Sequence, residues 1–250
     1  MTDHSGIAPL HAPAEPRPLP VGDGAAIVIL ALFILFVISV PKFDLAGVIA
    51  FAAFPLLFAT ATAIPLLPLV KRLVIASPFI LFMAAGNLAL DRSTAVTIGG
   101  VAITGGMISA SVIVLKTVVT LAALLSLMAV MPFHRFGMAL RSLRVPEAFV
   151  TQLLLVYRYS FLLAEEAEMM QRARDLRSFG GRGNGPLVTA KLIGSLLIRT
   201  TARAERIYMA MSARGFRAAL DSRPAIAIKP GDIGAITGAT ALFSLIRFFF

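Results

Sequence analysis

Long apolar segments alternate with short polar turns over the first half of the chain, and this pattern predicts helices that cross a membrane. Four apolar segments precede residue 132, and a fifth closes the chain. Each is long enough, or nearly so, to cross a hydrocarbon core of roughly 30 Å. We therefore expect an all-α polytopic membrane protein with about five transmembrane helices, at residues 24–40, 45–64, 73–90, 107–131 and 231–250.

The segments between these helices carry their own predictions. Residues 1–22 lack hydrophobic periodicity and predict a loose or surface-lying polar extension. Residues 65–72 contain two prolines and two basic residues and predict a turn, whereas Pro55 lies within an apolar segment and predicts a kink. In residues 94–106, small and β-branched residues alternate around paired glycines. That alternation is typical of a short exposed hairpin.

After residue 132 the chain becomes polar and the predicted helices become longer. Residues 133–143 predict a short amphipathic helix. A helix of roughly 30 residues is expected from Pro146, which suits a first helical turn, to Arg177. The Gly-rich link at 180–186 ends it, and a second long helix should run from Pro186 to Arg214. We expect residues 132–230 to form one domain of long helices.

The two long helices end in related sequences, at residues 168–179 (EMMQRARDLRSF) and 205–216 (ERIYMAMSARGF). An offset of 37 residues aligns Arg177 with Arg214, and each is followed by a small residue and then a phenylalanine. A cation is favoured at a helix C-terminus by the macrodipole, and Gly215 can adopt the left-handed conformation that stops the helix. Each copy therefore predicts one arginine presented at a helix end.

Composition and charge narrow the class of protein. The chain is 58% hydrophobic and 14% charged, which is far too apolar for an ordinary soluble domain, and it contains no cysteine. Of its net charge of +10, residues 132–230 carry +9, from 16 basic and 7 acidic side chains. The positive-inside rule then places this segment, residues 71–72 and the N-terminus in the cytoplasm. The segment could contact anionic lipid or an acidic partner. We expect no nucleic-acid partner, because no aromatic side chains interleave with these charges.

Few residues are candidates for chemistry. His4 and His11 suggest a metal-binding tail, although two histidines in a polar leader are more simply without a role. Lys116 lies inside the fourth apolar segment, where an ionisable residue is either functional or engaged in snorkelling or a helix contact. An acidic cluster is a second candidate metal site, but mixed with nearby arginines it more simply forms i,i+3 or i,i+4 ion pairs; its members are Glu165, Glu166 and Glu168.

With the spans and the doubled arginine ending established, the chain resembles the transmembrane T component of an energy-coupling factor (ECF) transporter, in particular the cobalt-type CbiQ family. The resemblance covers roughly residues 20–250, and its most specific stretches are LRSLRVPEAFVTQLLLVYRYSFLLAEEAEMMQRARDLRSF and GSLLIRTTARAERIYMAMSARGF. In that family two Ala-Arg-Gly motifs end two cytoplasmic coupling helices, and each arginine enters a groove on an ATP-binding-cassette (ABC) ATPase.

The second motif of the family is present in full, and the first departs from it. The complete copy is Ala213-Arg214-Gly215. The earlier copy reads Leu176-Arg177-Ser178 and keeps only the arginine. Ala173-Arg174-Asp175 is an alternative first motif, but the 37-residue alignment favours Arg177, with Arg174 as a neighbour of interest.

The resemblance also implies partners, a substrate and a location. The chain would work with two ABC-type ATPase subunits and a substrate-binding membrane subunit (S component), with or without a small accessory membrane subunit. It would serve uptake of a divalent metal for cobalamin biosynthesis, with cobalt first, nickel second and a vitamin third. The location would be the bacterial inner membrane. The chain itself would be a non-catalytic subunit with no cofactor and no metal ligands.

Two other classes of function remain open from the residues alone. A membrane enzyme acting on lipid phosphates would use the arginine-rich region at 158–217 as its anion site and His134 as its acid or nucleophile. A self-contained channel would use Lys116 as its pore charge.

Overall fold

The structure is a computed structural model and describes residues 19, 21–62, 64, 66–90, 94–98, 101–177, 185–215 and 229–249. The N-terminal extension with His4 and His11, Ser178, most of the Gly-rich link and the connection at 216–228 lie outside the described residues. The chain divides into two compact units, residues 1–139 with 228–250 and residues 140–227.

The first unit contains the apolar helices and a small hairpin. Its helices are α1 (Asp23–Ser39), α2 (Leu45–Ala61), α3 (Leu66–Leu90), α4 (Gly105–Val130) and α8 (Pro230–Phe249), and its strands are β1 (Thr94–Ile98) and β2 (Val101–Thr104). The strands pair antiparallel, which confirms the predicted hairpin. A short helix, α5 (Phe133–Ser142), begins in this unit and ends in the second.

The predicted turn at residues 65–72 was wrong, because most of it is helical. Helix α3 begins at Leu66 and includes Pro68, Lys71 and Arg72. Pro68 is tolerated because it lies in the first turn, where its missing N–H has no intrahelical acceptor. Pro55 does not break α2, which continues through it to Ala61.

Aromatic side chains form the centre of the first unit. Phe243 of α8 is fully buried and lies 5.3–6.1 Å, between ring centroids, from four phenylalanines of α1 and α2, namely Phe33, Phe36, Phe51 and Phe54. Helix α4 packs against α1, α2 and α3. The C-terminal helix is therefore held to the first two helices by an aromatic cluster.

Within the part of the chain that the structure describes, three helices are long and apolar enough to cross a membrane, and these segments are Leu67–Leu88, Gly105–Val130 and Pro230–Phe249. Helices α1 and α2 are apolar but have 17 residues each, at the lower limit for crossing. Large apolar side chains such as Ile75 (79% exposed) and Phe82 (75%) point outward, as on a lipid-facing surface. The chain is an all-α polytopic membrane protein.

The second unit is built on two long helices, α6 (Glu147–Arg177) and α7 (Pro186–Ala213). Both agree with the predicted bounds to within one residue. Helix α7 has Pro186 at its start, where a proline costs no hydrogen bond. Helix α6 has Arg174 and Arg177 in its last turn, where the helix macrodipole favours positive charge.

Candidate functional site

Helix α7 ends in the geometry that the sequence predicted. Arg214 is its C-cap, and the backbone N–H of Arg214 donates to the carbonyls of Ala210 (3.3 Å) and Met211 (3.1 Å). Gly215 has a φ of 79°, in the left-handed region that a residue with a Cβ rarely adopts. Ala213, Arg214 and Gly215 are all exposed. The helix therefore stops at an exposed arginine.

Helix α6 ends in a second exposed arginine, Arg177, which is its last residue. Leu176 beside it is 81% exposed, so this helix end presents an apolar side chain next to its arginine. The side chain of Arg174 is 22% exposed and its guanidinium donates to Asp175 at 2.8 and 3.0 Å. Of the two candidate arginines here, Arg177 is thus the more accessible.

An ion pair joins the two helices. The carboxylate of Glu166, on α6, accepts a hydrogen bond from the guanidinium of Arg203, on α7, at 2.7 Å, and Arg199 lies 3.9 Å from the same carboxylate. The Glu166 side chain is only 12% exposed. Glu168 instead forms the predicted i,i+4 pair with Arg172, at 3.3 Å on the exposed face of α6. Within the acidic cluster, Glu166 thus connects α6 to α7, whereas Glu168 pairs on the surface of α6.

A cavity of about 830 Å³ lies between α6 and α7, and we call it the α6–α7 cleft. Charged side chains line much of it, namely Arg174, Arg177, Lys191, Arg199, Arg203, Glu165 and Glu166. Apolar side chains, including Met169, Met170 and Leu192, line the rest. The cleft extends from Leu162 to Arg177 along α6 and from Val188 to Arg203 along α7.

The ion pair lies midway between the two exposed arginines. Arg177 is eleven residues beyond Glu166, and Arg214 is eleven residues beyond Arg203, or about 16 Å along each helix. Because Arg177 shares the cleft with Val188 and Lys191, it lies towards the start of α7, whereas Arg214 lies at the end of that helix. The two arginines are therefore on opposite sides of the pair, about 33 Å apart when measured along the two helices.

The other candidate residues have structural surroundings. Lys116 donates from its ammonium to the carbonyls of Val40 and of Ile38 (3.5 Å for the latter), at the end of α1. These carbonyls have no intrahelical donor, so Lys116 completes a helix end. A helix contact of this kind is one of the alternatives that the sequence analysis gave for Lys116. His134 is exposed on α5, and among the described residues no three His, Cys, Asp or Glu side chains are placed so that they could hold a metal ion.

Sequence reasoning missed the pairing of Glu166 with Arg203 and the position of Lys191 in the cleft. The signal for the first was present, since these residues are separated by the same 37 positions that relate the two arginine endings. No comparable signal exists for Lys191, whose counterparts at that offset are Leu154 and Ile228.

The fold defines a polytopic helical membrane protein with two long, arginine-ended helices outside its apolar segments. Within that class the comparison with known families is specific. The family model described as CbiQ, cobalt transport protein, matches residues 20–226, and the chain belongs to this family.

Two curated relatives agree with this assignment. The chain is 38% identical over 90 residues to the "Cobalt transport protein CbiQ" of Rhodobacter capsulatus, which covers 34% of this chain and 37% of that protein. It is 27% identical over 142 residues to the "Putative fused cobalt transport protein CbiMQ" of Methanocorpusculum labreanum, which covers 56% of this chain and 23% of that protein. The matched parts thus span less than two fifths of either relative.

Proposed function

We propose that this chain is the T component of an ECF-type transporter, a scaffold that transmits the motion of two ABC-type ATPase subunits to a substrate-binding membrane subunit. Residues 23–131 and 231–250 would form its membrane domain, and residues 132–230 its cytoplasmic coupling domain, with residues 1–22 as a polar extension on the same side. The location would be the bacterial inner membrane. The excess of basic residues in 132–230 supports this orientation.

The pair of exposed arginine-ended helices carries this proposal. Arg177 and Arg214 lie on opposite sides of the Glu166–Arg203 pair, at the ends of two different helices, so each can contact a different protein subunit. The planar guanidinium fork suits a carboxylate-lined groove. Two equivalent ATPase subunits would each receive one helix end. Closure of the ATPases on binding ATP would then move the two ends relative to each other.

Membership of the cobalt transport family supports cobalt as the transported ion. The ion would be bound by a separate S component, with or without a small accessory membrane subunit, rather than by this chain. The name of the fused relative supports a second component that works beside the CbiQ-type part, since the match covers 23% of that protein. The chain would then have no catalytic residue, and ATP hydrolysis would occur in the partner subunits.

Co-purification tests the proposal. The detergent-solubilised chain would be recovered with co-expressed ABC-type ATPase subunits of the same organism, as the wild type, Arg177→Ala, Arg214→Ala and the double variant. Removing a charge from a desolvated interface costs about 2–5 kcal/mol, or roughly 30-fold to several thousand-fold in affinity. We expect two ATPases on the wild type and loss of both, with their coupled hydrolysis, from the double variant.

Arg172→Ala is the matched control, because Arg172 is an arginine of the same helix whose side chain is 73% exposed and lies outside the cleft. It should retain both ATPases. A wild-type chain that recovers no ATPase would overturn the proposal, as would a double variant that behaves like Arg172→Ala.

A further inference from the structure

The α6–α7 cleft has two ends that differ in their balance of charge. At one end the carboxylate of Glu166 neutralises Arg203 at 2.7 Å and approaches Arg199 at 3.9 Å. The other end, which we call the linker end, is lined by Arg174, Arg177 and Lys191. Taken together, the lining has five basic and two acidic side chains.

The linker end holds cations that the described part of the chain leaves without counter-charges. Arg174 bonds Asp175, but no ion pair is found for Arg177 or Lys191 among the described residues. Both side chains are exposed and both border the same cavity, although they belong to different helices. An acidic surface that enters the cleft beside Arg177 therefore also approaches Lys191.

We propose that the first coupling site is formed by both helices, with Lys191 of α7 joining Arg177 of α6 in contact with carboxylates of one ATPase subunit. This rests on the function proposed above. The second site, in contrast, consists of the end of α7 alone, around Arg214. The two ATPase contacts are thus built differently, although the arginines that define them are related by an internal repeat.

The sequence of the first motif explains why a second cation would strengthen this contact. The second motif has a small residue on each side of its arginine, which lets a partner approach the helix end closely. The first has Leu176 instead, with 81% of its surface exposed. A bulky leucine keeps the partner surface farther from the backbone. A second cation on the neighbouring helix offsets the weaker fit of Arg177.

The lining favours protein carboxylates over phosphate groups. The net positive lining attracts any anion, but Met169, Met170 and Leu192 lie beside its charges, and a protein surface offers carboxylates next to apolar side chains. A polar, mixed-charge cleft flanked by an exposed leucine also resembles the rim of a protein interface. An anionic lipid headgroup is therefore the rival occupant that the experiment has to separate.

The test measures the affinity of the ABC-type ATPase subunits of the same organism for the chain in nanodiscs of phosphatidylcholine, which carry no net charge. We expect Lys191→Glu to weaken binding about tenfold or more, and Lys191→Arg to stay within about twofold of the wild type. Because Arg177 and Lys191 face the same carboxylates, the double alanine variant should lose less than the product of the two single losses. Arg172→Glu, a charge reversal outside the cleft, is the matched control and should leave the affinity unchanged.

Other outcomes overturn the proposal in separable ways. If Arg177→Ala weakens binding while Lys191→Glu behaves like Arg172→Glu, the coupling function stands and the two-helix site does not exist. If Lys191→Glu has an effect only in nanodiscs that contain phosphatidylglycerol, Lys191 contacts lipid and the proposal is wrong. If the wild type binds no ATPase in either lipid, the function proposed above has failed first.

Discussion

Replacing Glu166 with alanine should loosen the contact between α6 and α7. The change removes the carboxylate that accepts the 2.7 Å hydrogen bond from Arg203 and leaves that guanidinium, 33% exposed, without its partner. Fully exposed ion pairs contribute about 0.2–1 kcal/mol, and breaking a fully buried one costs about 3–5 kcal/mol. With side chains 12% and 33% exposed, this pair lies between the two limits. We therefore expect a coupling energy of about 1–2 kcal/mol.

A double-mutant cycle measures that energy. Thermal unfolding of the purified chain in detergent would be followed by circular dichroism for Glu166→Ala, Arg203→Ala and the double variant. A destabilisation of about 1.5 kcal/mol corresponds to a decrease in Tm of roughly 3–6 °C for a chain of this size. The Glu168–Arg172 pair, 65% and 73% exposed on the surface of α6, provides the control cycle. It should give about 0.3–0.5 kcal/mol.

The reasoning would be refuted by a coupling energy for Glu166 and Arg203 no larger than that of the control. Such a result would mean that the two helices are held together by other contacts, and that the charge pair adds only its desolvation cost.

Three further predictions concern the first unit. Phe243→Ala should destabilise the chain by roughly 2–3 kcal/mol in thermal unfolding, which is less than in a water-soluble core because lipid is itself apolar. Phe248→Ala, at a position that is 89% exposed, is the control and should change the stability little. Lys116→Met should lower the Tm by a few degrees yet leave cobalt uptake by whole cells intact, because the lysine completes the end of α1; loss of uptake in a stable variant would contradict this role. Gly22→Ala should destabilise by about 1–2 kcal/mol, since a Cβ there would lie 2.5 Å from the carboxylate of Asp232, and a variant as stable as the wild type would exclude the contact.

The sequence predicted most of the helices, because their signals are local. A proline near the start, an apolar stretch and an arginine followed by a small residue indicate where α6 and α7 begin and end, and all three can be read from neighbouring residues. The start of α3 was missed for the same reason. Pro68, three residues before the basic pair Lys71-Arg72, is a local turn signal. Only its position in the first turn makes this proline compatible with a helix.

The site was predicted only in part, because part of it depends on how two helices approach each other. The exposed arginines at 177 and 214 follow from a repeat within the chain. The helix-local rule for ion pairs could not identify the partner of Glu166, since no arginine lies three or four positions from it and the observed one is 37 residues away on α7. Lys191 became a candidate only when the cleft brought it beside Arg177.

The Glu166–Arg203 contact lies equally far from the two exposed arginines, so in the proposed coupling role the two long helices would turn about a point midway between their arginines. Each exposed arginine is eleven residues, or about 16 Å, from the contact, so the two arms have equal length. A rotation of about 10° between the helices around this fulcrum would displace each arginine by about 3 Å, the length of one hydrogen bond. A given rotation about the contact would therefore displace Arg177 and Arg214 by equal distances.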